Sequence, residues 1–259
     1  MEATYVRLGY IDEKATVFLL RVTFAFLAAA ALFSLASTLT HVQAGERGPT
    51  YIAALSAIIN AVAAWHYNEI VKVRVSQAIT VDSEWTIDAL RHSDWCVTMP
   101  LLILKLYALI NNPEHDLILG SVDASALCAC LMILLGAYSR LGLDELSNYE
   151  GLSRFGFLIG IVSYMGSVTF LVLLLIDLVN AYSGVENTTL VFAFFLVWPC
   201  YALVAFTAVW FRQSVSNSTY PKYIALAKDL CYAALDVFSK AVFAWHTCSA
   251  TFGVQVLGS

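Results

Sequence analysis

An all-α bundle of seven transmembrane helices is the fold class this sequence predicts, on three observations. The chain of 259 residues is 60% hydrophobic and only 13% charged, against roughly 25% charged in a typical soluble domain. The mean hydropathy of +0.74 makes lipid rather than water the solvent for most of the chain. Seven apolar stretches recur, each long enough as a helix to cross roughly 30 Å of hydrocarbon at about 1.5 Å per residue. The alternating apolar and polar strands of a membrane barrel are absent.

The first stretch covers residues 15–40. Before it stand Glu2, Arg7, Asp12, Glu13 and Lys14, which lack the basic start and cleavable apolar core of a signal peptide. Breakers from Gly45 to Pro49 lead to the second stretch, 50–71, which carries Trp65-His66-Tyr67. Ser76 to Glu84 reads as a longer loop, in which Ile79, Thr80 and Val81 suggest a short hairpin. The third stretch, 85–110, runs from Arg91 through Asp94 and Thr98 to Lys105 and breaks at Asn111 to Pro113. The fourth, 117–138, holds Cys128 and Cys130. Without histidines at metal spacing they read as buried thiols serving as small hydrophobes, and no metal site is expected. Gly142 to Glu150 precedes the fifth, 155–178. Ser183 to Thr189 leads into the sixth, 188–210, and Ser214 to Pro221 precedes the seventh, 223–251, with Asp236 and Lys240. A single domain, 1–259, is expected, with no repeat and no attached enzyme domain. Gly258-Ser259 leaves open that the natural polypeptide is longer. The net charge of -5 and the lack of a basic block exclude nucleic acid as a partner.

Ionisable residues inside lipid are functional candidates by default, because each is costly unless paired. Asp94 and Thr98 lie one turn apart on one helical face. Asp94 and Lys105 are eleven residues apart, about 1100° of rotation and about 16 Å of rise, so they share a face with half a membrane between them. Arg91 lies about one turn beyond Asp94, toward the opposite surface. Such a column is a ladder of proton-exchanging groups. The alternative is that Lys105 snorkels to the interface and Asp94 pairs with Arg91. In the seventh helix, Asp236 faces Lys240 from one turn away. As a protonated Schiff base with an aldehyde, Lys240 would carry a cation that Asp94 and Asp236 neutralise. A structural salt bridge is the plainer alternative.

Three motifs resemble one family. Arg91-x-x-Asp94-Trp95-x-x-Thr98-x-Pro100-Leu101-Leu102 looks like the third-helix signature of microbial (type I) rhodopsins. Asp236-x-x-x-Lys240 looks like their retinal-attachment helix, and Phe195-x-x-Trp198-Pro199 like the aromatic site packed on retinal. Trp65-His66-Tyr67 is similar to the proteorhodopsin branch, where a second-helix histidine pairs with the primary carboxylate. The resemblance implies a seven-helix bundle enclosing all-trans retinal on Lys240 and a light-driven outward proton pump. In that reading Asp94 is counterion and proton acceptor, Asp236 the second counterion and Lys105 the proton donor, with Arg91, His66 and Thr98 assisting. The implied retinal pocket comprises Trp95, Met99, Leu102, Met132, Gly136, Phe195, Trp198 and Tyr232. The acid at Asp94 departs from the chloride pumps, the triplet Asp94, Thr98, Lys105 from the sodium pumps, and Asp236 from the inward pumps that carry proline there. A sensory photoreceptor or a light-gated ion channel on the same scaffold is the alternative.

Two features depart from the family pattern. Phe195 and Trp198 stand where many members have tryptophan and tyrosine, which leaves colour unassigned. Lys228 lies two turns before Asp236, where some pumps keep a proton-releasing glutamate; Glu84 and Asp229 are the substitutes at hand. An antenna carotenoid, present in some relatives, would need a small residue in the fifth helix, and Gly156 and Gly160 are the candidates. Expected partners are membrane lipid, protons and further copies of the chain in a homo-oligomer. The family orientation puts the N-terminus outside, in a plasma membrane or another energy-transducing membrane. Lys72, Arg74, Arg140, Arg154, Arg212 and Lys222 would then lie outside, against Arg47 and Lys105 inside, which the positive-inside rule opposes. The family orientation is adopted because the polarity of the retinal site is tied to it.

Overall fold

A computed structural model describes residues 2–77, 79, 81–109, 121–145, 153–182, 196–205, 207 and 222–249. Seven helices occur among them: α1 Glu2–Ala44, α2 Arg47–Ser76, α3 Val81–Ala108, α4 Val122–Glu145, α5 Ser153–Tyr182, α6 Leu196–Ala205 and α7 from Lys222–Asp236 onward. Helix α7 passes into a π-helical turn, Val237–Val242, and then returns to α geometry. The chain divides into two compact units, Met1–Arg91 with Leu196–Ser259, and His92–Phe195.

In the first unit α1 packs along α2 and α7. Helix α1 stops at Gly45, whose φ of 74° suits a residue without Cβ. The Gly45 N–H donates to Val42 O at 3.1 Å and the Glu46 N–H to His41 O at 3.0 Å, so two terminal carbonyls are satisfied by a Schellman closure. His41 Nδ1 and Glu46 Oε2 meet at 2.7 Å across that turn. Pro49 falls in the first turn of α2, where its missing N–H costs nothing. Leu20, Leu27, Ala63, Tyr67, Ile87 and Ala233 form the buried core, while Phe18, Phe26, Leu32 and Leu39 of α1 stand exposed. Polar groups inside and large apolar side chains outside are the arrangement of a chain solvated by lipid.

Between Ser76 and Glu84 the described residues show no hairpin strand, and both helices extend into the segment expected as a longer loop. Helix α2 continues to Ser76, Ile79 lies in a bend, and Val81 already belongs to α3; Thr80 lies outside the described residues. Charge pairing explains the difference. Arg74, in the last turn of α2, binds Glu84 near the start of α3, so charges that mark a helix end by hydropathy are neutralised within the fold.

The second unit brings α4 and α5 together through small residues. A Cβ on Gly166 would stand 3.0 Å from Leu135 Cδ1, and one on Gly136 3.4 Å from Ser167 Oγ. Ser167 Oγ donates to Met132 O at 2.8 Å. Within α3, Pro100 has no N–H to offer the carbonyl of Cys96. The Cys130 thiol approaches that carbonyl at 3.8 Å and supplies a weak substitute donor.

Candidate functional site

The π-helical turn of α7 carries Lys240, whose side chain is 1% exposed, and its Nζ lies 2.9 Å from Asp236 Oδ1. Asp236 is held from two other helices. Tyr67 of α2 donates to Oδ2 at 2.8 Å and Tyr201 of α6 to Oδ1 at 2.9 Å. Tyr201 also meets Ser239 Oγ at 2.9 Å and stacks on Tyr232, with ring centroids 6.1 Å apart. Asn60 of α2 directs its amide to the carbonyl of Lys240 at 3.4 Å. The amine and its carboxylate are thus fixed by groups from α2, α6 and α7, as a charged pair removed from water requires.

On α3, Asp94, Thr98 and Lys105 are all buried, at 2%, 0% and 1% exposure. Among the described residues Thr98 Oγ1 has no hydrogen-bond partner. Trp95, Met99 and Leu102 are buried beside them, and Trp95 meets the His92 ring edge-to-face at 5.3 Å. Met132, Trp198 and Tyr232 are buried, whereas Gly136 is half-buried against α5. Phe195 lies outside the described residues, as do the surroundings of Gly156 and Gly160 within α5. His66 is buried, and its Nδ1 lies 2.9 Å from the carbonyl of Val62 in its own helix.

Arg91 belongs to a larger ionic cluster in the first unit. Its Nη2 donates to Asp229 Oδ1 at 2.5 Å, its Nη1 is 3.7 Å from Asp88, and its guanidinium lies 4.9 Å from the centre of the Tyr232 ring. Arg74 binds Asp229 at 2.8 Å and also Glu84. Lys228 bridges Glu84 at 2.8 Å and Asp88 at 2.7 Å. Sequence reasoning named Lys228, Glu84 and Asp229 one at a time and missed Asp88. The readable signal was a carboxylate at 84 and at 88, one helical turn apart, ahead of Arg91.

Other polar residues went unread in the sequence. Tyr201 and Asn60 touch the Asp236–Lys240 pair, and the general demand of a buried carboxylate for donors is the only hint of them. In the second unit Asp177 of α5 is fully buried, with Ser125 Oγ of α4 at 3.4 Å. Ser125 in turn meets the Tyr107 hydroxyl of α3 at 3.4 Å. An aspartate within Leu173-Leu174-Leu175-Ile176-Asp177-Leu178-Val179 was a visible signal by the same rule that singled out Asp94.

The family described as bacteriorhodopsin-like protein matches residues 14–253. A comparison with curated protein sequences finds no match. Among solved structures, xanthorhodopsin, a light-driven ion pump with dual chromophore, is 22% identical with a TM-score of 0.60, over 90% of this chain and 94% of that one. The light-driven proton pump LR (Mac) from Leptosphaeria maculans is 17% identical with a TM-score of 0.63, over 92% and 96%. Halorhodopsin, a light-driven chloride pump, is 19% identical with a TM-score of 0.55, over 87% and 92%. At these identities the likeness is one of fold, and it is the seven-helix fold of the microbial rhodopsins.

Proposed function

Because the chain belongs to the bacteriorhodopsin-like family, we propose that it binds retinal through Lys240 and works as a light-driven outward proton pump. One observation carries the reading most directly. A primary amine 1% exposed is paired with a carboxylate that two tyrosine hydroxyls hold in place. This donor set suits an aldehyde cofactor, since a nitrogen attached there stays cationic beside Asp236 and sheltered from water. Within the first unit, Trp198 and Tyr232 are buried aromatic side chains of the kind that packs on a polyene. Retinal, when bound, supplies the absorption of light and an isomerisation that changes the proton affinity of the Lys240 nitrogen. A second, carotenoid chromophore forms no part of the proposal.

The protein's own groups then divide the work. Asp94 takes the proton from the Lys240 nitrogen, while Asp236, fixed by Tyr67 and Tyr201, remains a counterion. Thr98, one turn along α3, places a hydroxyl on the same face as Asp94. Lys105, buried farther along α3, returns a proton from the inner side. An acid at position 94 supports protons rather than chloride as the ion moved, because a halide would be repelled by that carboxylate. The test is Asp94→Asn. It should keep the pigment, shift its absorption to the red through loss of the counterion charge, and lose transport. Unchanged absorption at every pH would contradict the role given to Asp94.

A further inference from the structure

Arg74, Arg91 and Lys228 face Glu84, Asp88 and Asp229 in a set of three cations and three carboxylates, none with a side chain more than 11% exposed. They come from the last turn of α2, the N-terminal part of α3 and the N-terminal half of α7, all within the first unit. Tyr232 lies under Arg91, and Tyr67 also acts on its guanidinium electrostatically. Lys228 joins both remaining carboxylates, at 2.8 Å and 2.7 Å. We propose that this cluster is an electrostatic latch keyed by Lys228, which anchors Arg91 on Asp229 and holds no carboxyl proton to surrender. Lys228 is a positioning residue in this scheme. It acts through Glu84 and Asp88, and the scheme rests on the pump reading.

Charge balance sets how the cluster responds to a proton on Asp94. With Lys228 in place the six groups sum to zero, so when Asp94 gains a proton, one turn along α3 from Arg91, the cluster has nothing to expel. The proton therefore stays on Asp94 and leaves the protein only after uptake on the opposite side. Removing the Lys228 charge sets three carboxylates against two guanidinium groups. An uncompensated buried charge is strongly unfavourable, and the cheapest relief is one proton bound by Glu84 or Asp88. Neutralising Asp94 would then make the field at that carboxyl more positive, and its proton would be driven out early.

The experiment uses the retinal-bound protein oriented in sealed vesicles, with a pH-sensitive dye following flash-induced release and uptake. Wild type and Lys228→Arg should take up a proton before releasing one. In Lys228→Gln release should precede uptake. The double variant Lys228→Gln with Glu84→Gln, which restores neutrality, should return to the wild-type order. In the dark, Lys228→Gln should also gain one protonated-carboxyl C=O stretch in the infrared over wild type, and the double variant should not. Release before uptake in wild type overturns the latch while leaving a pump. Wild-type order in Lys228→Gln, or no added carboxyl band, overturns it as well. A pigment that moves no net proton in wild type sinks the pump reading instead, and the dark infrared comparison still decides the charge count.

Discussion

Asp236 accepts from Tyr67, Tyr201 and Lys240 at 2.8 Å, 2.9 Å and 2.9 Å. That many donors fix a buried carboxylate in both position and charge. Lys240→Ala removes the only group of this set able to bond an aldehyde, so the variant should form no covalent pigment with retinal. A visible, hydroxylamine-sensitive pigment in Lys240→Ala would refute the attachment site. Tyr201→Phe should keep the pigment but lose one donor to Asp236 and the link to Ser239. Leaving a buried acceptor short of a donor costs about 1–3 kcal/mol, which thermal bleaching of the pigment should register as reduced stability together with a shifted absorption maximum. Identical bleaching and colour in Tyr201→Phe would show that Tyr67 alone suffices.

At the level of the helix, the proposed pump runs its proton path along α3, from Arg91 past Asp94 to Lys105. Lys105→Met should preserve the pigment and the first transfer to Asp94 and delay return of the proton to the Lys240 nitrogen. In wild type that return should slow as pH rises, because Lys105 must first collect its proton from bulk. If return is equally fast in Lys105→Met at neutral and alkaline pH, Lys105 is an interfacial cation only. The seven helices and the shared face of Asp94, Thr98 and Lys105 were legible in the sequence because hydropathy and the 3.6-residue period are local signals. The ends of α2 and α3 were not, since Arg74, Glu84 and Asp229 pair across 155 residues of chain, and hydropathy counts each as a lone charge. The same holds for Tyr201, whose position becomes meaningful only when α6 and α7 bring it to Asp236, 35 residues away. The π-helical turn around Lys240 left no mark in the local pattern Asp236-Val237-Phe238-Ser239-Lys240.

At the scale of the whole chain, the described residues of each unit bury clusters of charge and turn large apolar side chains outward, on α1 in the first and on α4 and α5 with Leu134, Val162 and Val172 in the second. Among the described residues, four helical segments meet the length and hydropathy of a membrane span: Lys14–Ala44, Arg47–Ser76, Val122–Ser139 and Ile161–Asn180. Helix α3 falls outside that set while carrying Asp94 and Lys105, which fits a helix whose ionisable groups serve a path rather than lipid contact. The conflict between loop charge and family orientation also softens in three dimensions. Arg74 is buried in ion pairs with Glu84 and Asp229, and Lys72 pairs with Glu69 at 2.6 Å. Arg74 is thus no loop cation, whereas Lys72, with its side chain 62% exposed, still counts under the positive-inside rule. Outward proton transport driven by light would change the pH of a lightly buffered suspension of cells that carry the protein and are given retinal. Illumination should acidify the medium, a protonophore should abolish the change, and Asp94→Asn cells should show none. A medium that stays constant, or turns alkaline by a path the protonophore abolishes, would contradict it.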